Sequence, residues 1–141
     1  MATITADISI NNDIASGSVS VAQPMTLYKA GGTEGMDTMT SVSKVLTSTD
    51  QVDLILASSV STTHNYVYIN NPSLVATEYI SVGIGNAGGG TPTDTEEIGR
   101  LYGGEDGGDW MWIPWRADTN EDIIVTPSVA TKMTIEYIVF S

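Results

Sequence analysis

A glycine-rich loop carrying Glu105, Asp106 and Asp109 is where this sequence most resembles a chemical site. From residue 103 the chain reads GGEDGGDWMWIPW. Carboxylates bind Ca²⁺, but an EF-hand loop needs a glutamate at its twelfth position, and counting from Glu105 that position is Arg116. Glycines also permit tight chain reversals. We therefore interpret the stretch as a solvated acidic turn. The alternative is a non-standard Ca²⁺ site shared with Asp94, Glu96 or Glu97.

Other motifs that could support catalysis or cofactor binding are incomplete. His64 is the only histidine, and although Ser61 is nearby, no G-x-S-x-G elbow would expose a nucleophilic serine. The segment 83–88, GIGNAG, matches G-x-G-x-x-G, but the residues GGTPTDTEE that follow cannot start the helix that binds a pyrophosphate. We expect a hairpin loop there. A pair of hydrolytic carboxylates cannot be located among seventeen acids. The sequence thus predicts neither an enzyme nor a cofactor.

The three tryptophans give the strongest functional signal. Trp110 and Trp112 would share one face of a strand, which Pro114 would bend or end before Trp115. Three indoles are more aromatic surface than one sheet face readily buries, so the options are the core, a subunit interface or a sugar-stacking platform. We expect the strand to serve both the core, with one or two indoles inside, and an interface. Its predicted residues are Trp110, Trp112, Trp115 and Tyr102, with Ile4 and Ile8 of the N-terminal segment.

The elements that must position these residues are strands. Alternating apolar and polar residues recur in VDLILA, NYVYIN, YISVGIG, DIIVT and KMTIEYIVF, separated by Gly, Pro and Asn turn signals. In the first of these, Val52, Leu54 and Leu56 would share a face opposite Asp53 and Ile55. Seven strands from Val52 onward predict an all-β fold. We expect a single antiparallel β-sandwich, jelly-roll-like, with an extended N-terminal arm.

The N-terminal third is less regular. Weaker strands are predicted over 3–10, 24–28 and 42–46, and a long surface loop over 30–40. We place an arm or edge strand at 1–22 and the β-sandwich domain at 23–141. The alternation TITADISI suggests that this arm adds a strand to a neighbouring molecule.

Composition limits the possible partners. The chain has 141 residues, no cysteine and a net charge of −12, so disulfides and thiolate metal sites are excluded. Nucleic-acid backbones and anionic membranes attract basic proteins, so neither is an expected partner. The N-terminus has no basic region followed by an apolar run, which predicts a protein made in the cytosol.

The C-terminal two-thirds resembles a group of viral proteins. The segments that carry the resemblance are HNYVYINNPS, EYISVGIGN, EIGRLYGGEDGGDWMWIPW and DIIVTPSVATKMTIEYIVF. In order and texture they are similar to small β-sandwich proteins of tailed-bacteriophage virions.

The resemblance implies a structural role in the virion. A capsid decoration, or cement, protein would be made in the host cytoplasm, without a cofactor. It would bind the major capsid protein or other virion proteins and its own copies, as a trimer. The alternative is a head-fibre, neck or tail component whose β-sandwich binds a carbohydrate or receptor.

Overall fold

A computed structural model describes residues 4–12, 19–29, 32–60, 64–85, 96–118 and 121–141. No helix in these ranges is long and apolar enough to cross a membrane. The chain divides into two compact units, Met1–Asp37 and Thr38–Ser141. The boundary predicted after residue 22 falls inside the second strand of the first unit.

The first unit is built on a hairpin. Strand β1, Thr5–Asn12, pairs antiparallel with β2, Val19–Thr26, along their full length. The chain then forms an isolated bridge between Tyr28 and Gly35, and Met36 donates its N–H to the Leu27 carbonyl at 2.8 Å.

The surface loop predicted over 30–40 is therefore wrong in part. Gly35 and Met36 are buried, and Met39 already begins the next strand. Residues 30 and 31 lie outside the described ranges.

In its described residues, the second unit contains eight strands in two four-stranded antiparallel sheets. One sheet has the order β3-β10-β5-β8 and the other β4-β9-β6-β7, which confirms the all-β antiparallel prediction. The strands are β3 Met39–Leu46, β4 Val52–Ile55, β5 His64–Asn70, β6 Tyr79–Gly85, β7 Glu96–Tyr102, β8 Trp110–Arg116, β9 Asp122–Pro127 and β10 Met133–Phe140.

Both sheets contribute to one hydrophobic core, because alternate residues of their strands are apolar. Val67 and Ile69 enter it from β5, and Ile80 and Val82 from β6. The predicted alternation in β6 and β10 is confirmed at its buried positions. A methyl group at Gly99 of β7 would lie 2.7 Å from the Met111 Cε of β8, so a residue of one sheet closely approaches the other.

Strand β4 departs from the predicted alternation. Its register with β9 shifts between Asp53 and Ile55, so Leu54 and Ile55 are both buried while Leu56 is 46% exposed. A bulge places two successive side chains out of the period-two pattern. The expectation that Leu54 and Leu56 share a buried face is therefore wrong.

Candidate functional site

Strand β8 separates the three tryptophans. Pairing with β5 sets Tyr68 opposite Trp112 and Asn65 opposite Trp115. Trp110 and Trp112 therefore lie on the outward face of the sheet, away from the core, while Trp115 lies on the inward face.

Trp115 belongs to the core of its own chain. It is 1% exposed, and its Nε1 donates to the Glu121 carbonyl at 2.8 Å, which satisfies the one polar atom of the indole. Of the three predicted interface tryptophans, only Trp110 and Trp112 retain surface for a partner. Pro114 does not end the strand, because β8 is the outer strand of its sheet, where a missing N–H costs no ladder bond.

The outward tryptophans are part of a larger cluster. Cross-strand pairing aligns residues from β10, β5 and β8 on the same surface. We call the following residues the aromatic face: Tyr66, Tyr68, Trp110, Trp112, Ile138 and Phe140. Trp110 is 49% exposed and the other five are half-buried, although all six are on the side of the sheet away from the core. Isolated exposed apolar side chains are common, whereas contiguous patches mark binding surfaces.

The rings of the aromatic face pack against each other. Trp112 is stacked on Tyr66, with centroids 5.5 Å apart and planes 24° apart, and is tilted against Phe140, also at 5.5 Å. Trp110 is tilted against Tyr68 at 5.9 Å. Diagonal contacts of this kind stabilise a sheet face and fix the rings in position. They also engage ring surfaces that a sugar would need for stacking.

This outward face is nearly free of charge. Among its sixteen strand positions in β3, β10, β5 and β8, the formally charged side chains are Glu136 and Arg116. The Glu136 carboxylate accepts a hydrogen bond from Asn70 Nδ2 at 3.3 Å, and Arg116 is paired with Asp118 at 2.6 Å. A neutral apolar surface on a chain of net charge −12 is one where a partner meets little electrostatic repulsion.

The two edges of this sheet are poorly suited to adding a strand. On β8, Pro114 cannot donate a backbone hydrogen bond. On β3, Lys44 is opposite Ile135, a core residue, and so points inward. Its Nζ reaches the Asp53 carbonyl of the other sheet at 3.1 Å. Proline and inward-pointing lysine both protect edge strands, which leaves the outward face as the available surface.

A cavity of about 550 Å³ lies beside Lys44, where β3 and β4 adjoin. Its lining mixes apolar side chains such as Leu54 and Val139 with hydroxyl groups, including that of Tyr137. Burial raises the pKa of the Tyr137 phenol. Asp53 is the one acidic side chain in this lining, whereas glycoside hydrolysis generally requires two carboxyl groups facing each other.

The acidic loop is held by the backbone. Asp109 Oδ2 accepts the Tyr102 N–H at 3.0 Å, and the Asp109 N–H donates to the Tyr102 carbonyl at 2.7 Å. The Asp109 carbonyl accepts from the Asn71 N–H at 3.1 Å. Within the described ranges, no three Asp, Glu or His side chains are close enough to hold a metal ion. Asp94, with which the alternative Ca²⁺ site would be shared, lies outside those ranges, so that site stays a prediction.

The loop glycines allow close backbone contact. A Cβ at Gly103 would meet the Ser73 carbonyl at 2.8 Å, and one at Gly108 would meet the Tyr102 carbonyl at 2.8 Å and collide with the Asn71 carbonyl. Gly107 has a φ of 109° and open space around it. The glycines of this motif therefore serve packing and turn formation.

The remaining predicted residues lie elsewhere. Tyr102 is exposed on the outward face of the other sheet, 5.2 Å from Tyr79, whose ring lies under the Arg100 guanidinium at 5.0 Å. Ile4 and Ile8 are half-buried in the first unit, and the Ile4 carbonyl accepts from the Leu27 N–H at 3.0 Å. The structure thus does not bring Tyr102 into the aromatic face.

His64 and the glycine motif show no catalytic arrangement in the part of the chain that is described. His64 packs edge-on against Tyr66 at 5.1 Å. Ser61 and residues 86–88 of the glycine motif lie outside the described ranges.

Sequence reasoning missed Tyr66, Tyr68, Ile138 and Phe140 as parts of the site. The alternation in NYVYIN and in the last strand already put each of them opposite the core-facing residues. Their proximity to the tryptophans depends on the pairing of β5 with both β8 and β10, which the sequence does not give. No protein-family model, curated protein or solved structure matches the chain.

Proposed function

We propose that this chain is a non-enzymatic structural protein of a bacteriophage virion, a capsid decoration protein that docks through the aromatic face. The observation that carries the proposal is the apolar, nearly uncharged outward face on a strongly acidic chain. The sequence resemblance is the reason for proposing that the particle is a bacteriophage virion. The partners proposed are the major capsid protein or other virion proteins, and further copies of the chain.

The strand order supports a jelly-roll sandwich, an architecture frequent in viral capsid proteins. The neighbours in the sheet β3-β10-β5-β8 are all non-consecutive in the chain, and in the sheet β4-β9-β6-β7 the one consecutive pair is β6 and β7. From β3 to β10, successive strands lie in alternate sheets. The exception is the pair β6 and β7, which forms a hairpin within one sheet. Two interleaved Greek keys produce this order, and we propose that the sheets pack face to face around the common core.

Charge and aromatic surface would act at different stages of docking. The acidic remainder of the molecule would steer it toward a positively charged part of the shell, and the aromatic face would then provide the short-range contact. Tryptophan and tyrosine are enriched at the centres of interfaces, where they contribute much of the binding energy. Symmetric repetition over a shell would turn a modest contact per copy into stable coverage.

The first unit would provide a second contact. A two-stranded hairpin has little stability by itself and benefits from a further surface. We propose that β1, with Ile4 and Ile8, contacts a neighbouring virion protein, as predicted for the N-terminal arm.

A fibre-tip or tail protein that binds a carbohydrate is the second candidate. The half-exposed indole of Trp110 favours it, because a free ring face can stack on a sugar. The mutual packing of Trp112, Tyr66 and Phe140 favours a protein partner instead.

Particle incorporation tests the proposal. Phage particles would be produced from a genome encoding the natural chain, Trp112→Ala, or the control Thr131→Ala, which changes an exposed residue in the turn before β10. We expect mass spectrometry of purified particles to find the natural chain and the control, and to find the Trp112 variant strongly depleted. Absence of the natural chain from the particles would refute the virion role.

A glycan array separates the two candidates. We expect no glycan to bind in a manner that depends on Trp110. Specific glycan binding lost in Trp110→Ala, with particle content unchanged in Trp112→Ala, would replace the decoration role with the carbohydrate-binding one.

A further inference from the structure

We propose that the aromatic face pairs with the same face of a second copy of the chain, related by a two-fold axis. This inference rests on the proposed function, since it names one partner of the same surface. It differs from the trimer that the resemblance implies, because a two-fold contact uses identical patches on both copies.

The relief of the outward face is self-complementary. Along one row of the sheet the residues are Ser41, Ile138, Tyr68 and Trp112, and along the next they are Ser43, Glu136, Asn70 and Trp110. The β5–β8 side is thus a raised aromatic ridge, whereas Ser41 and Ser43 on β3 form a low serine shelf. A two-fold rotation places the ridge of each copy on the shelf of the other.

The shelf has an apolar border that can receive aromatic rings. Met39 is 61% exposed and Val45 is 47% exposed, and both are on the same outward face of β3 as the two serines. An indole of the second copy would therefore meet small polar side chains flanked by two apolar ones. Such a contact buries apolar surface on both copies. The charge that it encloses is that of Glu136, opposite Ser43, whose carboxylate accepts a hydrogen bond from Asn70.

Charge permits a second copy at this face. Each chain carries −12 overall, so two copies repel one another wherever acids meet. On the outward face, Glu136 and Arg116 carry opposite formal charges. Pairing through it keeps most of the acids apart, and the residual repulsion is long-range and screened by salt.

The area is enough for a weak pair. Four strands of seven or eight residues cover about 20 by 25 Å, on the order of 500 Å² before side-chain relief is counted. Stable complexes bury roughly 800 Å² per partner. We therefore expect an equilibrium between single and paired chains that depends on concentration and that further contacts in a particle would reinforce.

Sedimentation velocity and native mass spectrometry on the full chain test the pairing. We expect monomer and dimer, with the dimer fraction rising with concentration and with ionic strength, because salt screens the repulsion between acidic copies. Ser41→Arg on the shelf should weaken the dimer about tenfold or more, since Ser41 is opposite Ile138 and the new charge would lie among apolar groups at the contact. The matched control Thr131→Arg should change it by no more than about twofold.

The two arginine variants carry the same charge change, which separates local from global effects. Added positive charge alone would reduce repulsion and favour association, so a loss seen only in Ser41→Arg locates the contact on the shelf. A monomer at every concentration, a trimer, or equal effects of the two variants would overturn the pairing. Dependence of particle incorporation on Trp112 in a strictly monomeric chain would overturn the pairing and leave the proposed function standing.

Discussion

The acidic loop and the aromatic face are neighbours in the chain, yet their conspicuous residues are used in opposite ways. In the loop, Asp109 is bonded to the backbone of Tyr102, and Gly103 and Gly108 let carbonyl groups approach. In the aromatic face, Trp110 and Trp112 lie outside the core and remain on the surface of the sheet. The described residues of the loop hold a turn together, whereas the two outward tryptophans of β8 present a surface.

The difference shows which residue types are informative about function. Glycine and aspartate are needed by many turns for conformational and hydrogen-bonding reasons, so their clustering has a local explanation. Large aromatic side chains exposed together on a sheet face lower solubility and have no local explanation of that kind. The surplus apolar surface is therefore the better guide to a binding site.

Alanine at Gly108 should produce the largest loss of stability. The added Cβ collides with the Asn71 carbonyl, and we expect a loss of about 3 kcal/mol in the free energy of unfolding. Gly107→Ala is the matched control, because its Cβ meets nothing and only its positive φ is disfavoured, at about 1–2 kcal/mol. Urea unfolding followed by circular dichroism measures both. Equal losses would show that the loop is not packed as described.

Alanine at Trp112 should separate stability from binding. We expect a loss of about 1–2 kcal/mol in unfolding free energy, because a half-buried ring leaves two aromatic neighbours. Docking should fall much further, by on the order of 30-fold, because central aromatic residues dominate interfaces. Trp115→Phe provides the opposite control, with reduced stability and unchanged docking per folded molecule. If docking fell in proportion to stability in both variants, Trp115 in the core and Trp112 in the aromatic face would not differ in role.

Substitution of Asp109 should have a smaller effect that calcium does not change. Asp109→Asn weakens the charge-assisted bond from the Tyr102 N–H, and we expect a loss of about 1 kcal/mol. Asp106→Asn, which alters an exposed neighbour, should be nearly neutral. Thermal unfolding with calcium and with a chelator should give the same midpoint. A calcium-dependent rise that Asp109→Asn abolishes would restore the metal interpretation.

The smallest effect is expected for Glu97, which lies on β7, in the sheet that does not carry the aromatic face. Its hydrogen bond with Arg100, at 2.9 Å, and one with Ser81 lower the pKa of the Glu97 carboxyl. Because the Glu97 pKa is lower in the folded state than in the unfolded state, the ionised carboxylate stabilises the fold at pH values above the unfolded-state pKa. This stabilisation is lost as the pH falls through the folded-state pKa. NMR titration should show a Glu97 pKa that rises toward its usual range in Arg100→Gln. An unchanged pKa would exclude the ion pair in solution.

The sequence was sufficient for the presence of seven strands from Val52 onward, which the structure contains as β4 to β10. Alternation identified β6 and β10 correctly, since a buried face imposes period two. It failed at Leu56, because the bulge in β4 arises from pairing with β9 and leaves no local signature.

The site was predictable only in part, for a related reason. Trp110 and Trp112 were found because their shared face follows from spacing within one strand. Tyr66 and Phe140 join them through pairings between strands distant in the chain, and Tyr102 does not join them because β7 lies in the other sheet. Long-range register is set by the whole fold, and composition and spacing do not contain it.

Radical footprinting of the tryptophans tests the central claim most directly. Hydroxyl-radical oxidation, read by mass spectrometry, would be compared for the free chain and for the same chain in purified particles. We expect Trp110 and Trp112 to be oxidised in the free chain and protected in the particle, with Trp115 protected in both. Equal oxidation of Trp110 and Trp112 in the two states would show that the outward face of β8 is not where this protein meets its partners.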